Sequence, residues 1–81
     1  MGLLPDEVMT GKARVVLMAG EGALVEQHRG LIGYEKDQIL FRIKKGILML
    51  EGEEMVITTF GAFDAVVEGK VRCIRLEEDD A

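Results

Sequence analysis

The side chains with the most chemical reach stand together between Leu24 and Tyr34, "LVEQHRGLIGY", where the chain's one histidine and one tyrosine flank an Arg-Gly pair. In His28-Arg29-Gly30 an imidazole beside a guanidinium suggests a general base or ligand next to an anion clamp. Such chemistry needs a second participant. The chain has no serine, and it offers only Thr10, Thr58, Thr59 and a Cys73 set inside a strand-like run. One cysteine and one histidine leave no zinc set, which takes roughly four N/S ligands. The carboxylate pairs Glu53-Glu54 and Glu77-Glu78 make no acid–base dyad, because neighbours on a strand point to opposite faces and neighbours in a tail are solvated. Catalysis is therefore not expected, and no cofactor or metal is required. Alternatively, Gly30 is a turn with His28 and Arg29 as its flanks.

Binding chemistry is the next possibility. Gly20-Glu21-Gly22 is too short for a dinucleotide loop and no helix follows it, so it reads as a strand connection. Arg42, Lys44 and Lys45 form a basic face, but Trp is absent and Phe41 alternates to the other side, so no aromatic stands beside them to stack a base. The net charge is −5, and six of the carboxylates lie at the ends, at Asp6, Glu7, Glu77, Glu78, Asp79 and Asp80. Between Gly11 and Leu76 the balance is ten basic against nine acidic residues, too even for a phosphate-attracting field. A small β-barrel that takes an oligonucleotide or anionic ligand is the alternative function, and it requires His28, Arg29 and Lys44 to converge.

The elements that must position these residues are strands. Nine glycines from Gly11 to Gly69 divide the chain into short segments rich in Val, Ile, Thr and Phe. The fold class this predicts is all-β, a small antiparallel meander making a compact sandwich or partly open barrel of about 6–8 short strands. Ile39, Phe41 and Ile43 alternate with Arg42 and Lys44, a half-buried strand, and Phe63, Ala65 and Val67 alternate likewise with Asp64 and Glu68. Lys45-Gly46, Gly52 and Gly69 read as tight hairpin turns. A bulge near Cys73-Ile74 would bring Val71 and Leu76 to one face, with Cys73 itself a small core residue. Pro5, Asp6 and Glu7 suggest a first helical turn capped by Gly11. Residues 1–12 are thus an N-terminal segment, 13–76 a single domain and 77–81 an acidic tail.

Two strands are apolar on both faces. Val16 and Met18 in "RVVLM", and Ile47 and Met49 in "ILML", need a cover beyond one sheet: a second layer, a barrel interior or a partner chain. A chain of 81 residues buries only about 60% of its unfolded surface. With no disulfide to staple it, self-association through these four residues is expected, with the strand edge "KVRCIRL" as a second contact. No run approaches the roughly 20 apolar residues of a membrane span, and the first residues lack a signal peptide's basic start, so an intracellular product with a reduced thiol is expected.

Over nearly its whole length the sequence resembles the YabP/YqfC family of sporulation proteins of endospore-forming Firmicutes. Glu26-Gln27-His28-Arg29-Gly30-Leu31 is similar to that family's "ENHRGL" signature. "GILMLEG" and Glu68-Gly69-Lys70 match its later glycine-bearing turns, and Leu4 to Met9, "LPDEVM", looks like the opening of the YqfC branch. Gln27 departs from the family's Asn, keeping the amide on a longer arm, and the basic extension often found ahead of "LP" is missing. The resemblance implies a non-enzymatic protein of the mother-cell cytoplasm, peripheral to the forespore membrane. It would support spore envelope or coat development with a sporulation membrane or coat protein as partner, His28, Arg29 and Gly30 being a surface signature.

Overall fold

Apolar and β-branched residues at every second position favour extended backbone, and in the computed structural model they give seven strands and no helix among the described residues. Described are the main chain of residues 7–10 and the whole of residues 13–78. The strands are β1 (Glu7–Thr10), β2 (Ala13–Met18), β3 (Gly22–Glu26), β4 (Leu31–Glu35), β5 (Gln38–Ile43), β6 (Gly46–Phe60) and β7 (Asp64–Glu78). They form one open, wholly antiparallel sheet in the order β1-β2-β3-β7-β6-β5-β4.

Several expectations are corrected at the ends. Glu7–Thr10 is a strand paired with Ala13–Val16, not a helical turn, because four residues cannot repay helix nucleation while a ladder with β2 is at hand. Pro5 and Gly11, the expected start and cap, lie outside the described residues. Glu77 and Glu78 do not begin a solvated tail. They continue β7, in register with Ile47 and Gly46.

The larger correction concerns the middle glycines. Gly52 and Gly69 were expected to be turns, but β6 and β7 each run through theirs for 15 residues, so three strands span the stretch where four or five were expected. The two strands divide their partners between them. Early β6 pairs with β5, and early β7, Asp64–Glu68, pairs with β3. The pairing between β6 and β7 slips at Glu51/Gly52 and again between Glu53 and Val56. At that crossing the backbones leave no room for a side chain. A Cβ on Gly52 would lie 2.0 Å from the Lys70 carbonyl oxygen, and one on Gly69, whose φ is +129°, would lie 2.5 Å from that of Glu54.

The bend folds the sheet onto itself. Val15, Val25, Ala65 and Val67 from one half and Ile39, Phe41, Ile43, Leu48 and Leu50 from the other are buried in a single core, closed by Met55 and Val71. The smallest dimension is 20 Å, which fits two layers about 10 Å apart with curved strands and not one flat sheet. The remaining turns follow the sequence. Ala19–Glu21 joins β2 to β3, and Lys44-Lys45 joins β5 to β6 one residue before the expected position, with Ile43 paired to Gly46.

Gly52→Ala should therefore cost about 1–3 kcal/mol, because main chain must shift to admit the methyl. Gly33→Ala on β4 should be neutral or stabilising, since its Cβ would meet only the Leu40 side chain at 3.6 Å. Urea denaturation of the two variants tests the contrast, and equal losses would show the crossing to be less tight than described.

Candidate functional site

The chain leaves β3 at Glu26 and crosses to β4 at the far edge of the sheet through Gln27–Gly30, so this connection is a crossover and not a hairpin. Two residues bend it: Gln27 adopts a left-handed φ of 67°, and Gly30 a φ of 133° with open space where a Cβ would stand. A left-handed conformation costs a non-glycine residue about 1 kcal/mol, and Asn tolerates it better than Gln.

His28 does not lie on the surface. Its side chain is 1% exposed, packed between the Phe60 ring at 5.0 Å, nearly parallel to it, and the Phe41 ring at 5.2 Å. Both ring nitrogens are bonded to main chain. The Gly30 N–H donates to Nδ1 at 3.0 Å, so Nδ1 carries no proton, and Nε2–H then donates to the Asp64 carbonyl at 3.1 Å. The His28 amide donates to the Phe63 carbonyl at 3.0 Å. The residue is a neutral clasp that fastens the crossover to the turn between β6 and β7, with neither nitrogen left for a substrate or metal.

Arg29 points the other way. Its amide donates to the Arg42 carbonyl at 2.6 Å and the Arg42 amide to the Gly30 carbonyl at 2.9 Å, which ties the crossover to β5. The Arg29 guanidinium has no carboxylate or carbonyl partner among the described residues, and the residue is exposed. Lys44 is exposed on the β5–β6 turn. With His28 in the core, the convergence of His28, Arg29 and Lys44 that an anion-binding surface requires does not occur.

The four expected interface residues fall into two groups. Val16 stands in register with Leu24, and Leu24 with Val66, a half-buried apolar row on the outer face of β2, β3 and β7, with Met18 exposed at its end. Ile47 and Met49 lie on the outer face of early β6, beside Arg42 and Leu40 of β5 and Glu77 and Arg75 of β7. Because the sheet is folded over, the groups face different sides.

Two features had little sequence signal. Tyr34 on β4 accepts a hydrogen bond from the Ile57 amide at 2.8 Å, bridging the sheet's edge to late β6. An open groove of about 490 Å³ lies beside the β4–β5 turn, lined by Glu35, Asp37, Glu51 and Glu53 with Arg72 and Cys73. Arg72 pairs with Glu53 at 3.2 Å and Arg75 with Glu51 at 3.5 Å. Cys73 is exposed here, not buried, because Arg72 is an extra residue opposite Glu51–Gly52 and reverses the alternation. Among the described residues no group of three or more His, Cys, Asp or Glu could hold a metal, and no helix is long and apolar enough to cross a membrane.

No protein-family model matches the chain, and no solved structure does. It is similar to the uncharacterized protein YqfC of Bacillus subtilis (strain 168), 24% identical over 75 residues that cover 93% of this chain and 81% of that one. The likeness spans both the clasp and the β6–β7 crossing.

His28→Ala should destabilise the fold by about 3–5 kcal/mol, since it opens a cavity and leaves the Gly30 amide without its acceptor. Gln27→Asn should stabilise it by up to about 1 kcal/mol by easing the left-handed residue. Thermal unfolding measures both, and ¹³C and ¹⁵N shifts of the His28 ring should report the Nε2–H tautomer. An Nδ1–H tautomer would break the clasp as described.

Proposed function

We propose that this chain is a non-enzymatic module of spore envelope or coat development that works by presenting surfaces to proteins, a second copy of itself among them. The observation that carries the reading is the contrast between its inside and its outside. The one histidine is consumed as a structural clasp, while Leu31, Ile32 and Tyr34 of β4 and Phe60 and Phe63 beside the crossover that leads into it stand 39% to 57% exposed. Large apolar side chains grouped in this way are what a protein contact would cover. The process is suggested by the resemblance of the His28-Arg29-Gly30 signature to sporulation proteins and by the similarity to YqfC, whose own role is uncharacterized.

Replacement of the gene in a spore-forming host by Val16→Lys or Met49→Lys versions separates recognition from folding, because both side chains are half-exposed on the outer face. If partners are bound there, one of the two should fold as the wild type by circular dichroism yet form spores as poorly as the deletion. Normal spore numbers and coat in the deletion strain would sink the proposed process.

A further inference from the structure

We propose that β4 pairs with β4 of a second copy, antiparallel across a two-fold axis beside Gly33; this rests on the self-association reading above and names the surface for it. β4 is, with β1, one of the two terminal strands of the open sheet. It pairs only with β5, which leaves the main-chain groups of its other edge without a strand partner among the described residues. Such an edge invites another strand unless it is guarded by charge or proline. Late β7, which has no strand partner on the β3 side after Glu68 among the described residues, is guarded by Lys70, Arg72 and Arg75. β4, with the sequence "LIGYE", carries one charge at its very end and exposes Leu31, Ile32 and Tyr34.

Charge settles the direction. Two residues before β4 stands Arg29, whose guanidinium has no partner among the described residues. Immediately after it lies the acidic groove with Glu35 and Asp37 on its wall. A parallel copy would set like charge against like. An antiparallel copy sets each Arg29 against the other chain's acidic groove. With Gly33 beside the axis, Arg29 of one chain falls toward Asp37 of the other with Glu35 one diagonal away, while Tyr34, in register with Ile39, stays on the inner face against late β6. Two glycines meet at the axis, so no side chains collide there. The bulge at Ile32, the extra residue between Leu31 and Gly33, leaves that side chain 44% exposed for the second copy to cover.

The contact is small, so association is sought by sedimentation velocity on the whole chain up to roughly 0.5 mM. The wild type should dimerise as concentration rises. Arg29→Glu and Ile32→Lys should each weaken the dimer about tenfold or more, the first by like-charge repulsion and the second by a guard on the edge. Both residues are exposed, and unchanged circular dichroism will show that the fold is kept. Glu35→Arg should also weaken self-association. An equimolar mixture of the Arg29→Glu and Glu35→Arg chains should recover it in part, since one end keeps the original pairing and the other regains opposite charge at the diagonal position. A wild type that stays monomeric throughout overturns the pairing while leaving recognition of other proteins intact. A dimer that survives Arg29→Glu but is lost in Val16→Lys overturns the β4 pairing and moves self-association to the outer face of β2.

Discussion

The whole structure depends on the close crossing of β6 and β7. Two 15-residue strands stay hydrogen-bonded through a sharp bend only because Gly52 and Gly69 let main chain touch main chain where side chains would stand. Without that bend the sheet would be flat, and its inner apolar face would have nothing to cover it. With it, early β6 and late β7 build one layer and late β6 and early β7 the other. The inner residues of both then meet, Phe41 and Leu48 from one side and Val25 and Val67 from the other. A single sheet thereby supplies its own second layer.

The bend alone leaves the layers attached along one side. His28 fastens a second point, where the crossover from β3 to β4 passes the end of β6. Its position between two aromatic rings and its two main-chain bonds explain how a polar side chain is fully buried in so small a core without an unsatisfied nitrogen. Tyr34 adds a third point through the Ile57 amide. Chemistry that looks reactive in a linear chain is here spent on holding layers together, and it leaves Arg29 as the part of the signature that meets solvent.

How legible this was from the sequence depended on the range over which each outcome is decided. The all-β class, the burial of Ile39, Phe41 and Ile43 and the break in alternation between Val71 and Ile74 rest on period-two pattern and local composition, and each holds. The roles of Gly52 and Gly69 are not legible locally, because a glycine within an apolar alternation marks either a turn or a close backbone approach, and the approaching backbone lies on another strand. His28 was misplaced for a similar reason, since its acceptor is the carbonyl of Asp64, 36 residues away. Phe63 illustrates the limit of periodicity. It shares the parity of Ala65 and Val67, yet it precedes β7 and stands exposed in the turn.

The His28 clasp also bears on the order in which the molecule assembles. The β2–β3 and β5–β6 hairpins close over short loops, but the clasp needs residues 28, 30, 60 and 64 together, and β3 can find β7 only after the chain has gone out through β4, β5 and β6 and returned. The entropy of closing that long loop falls due before any long-range contact forms, which puts this fold among the slower small domains. Until the crossover docks, Phe41 and Phe60 lack the ring that packs between them. Until that step, a nascent chain keeps aromatic surface in reach of other proteins beside Gln27–Gly30.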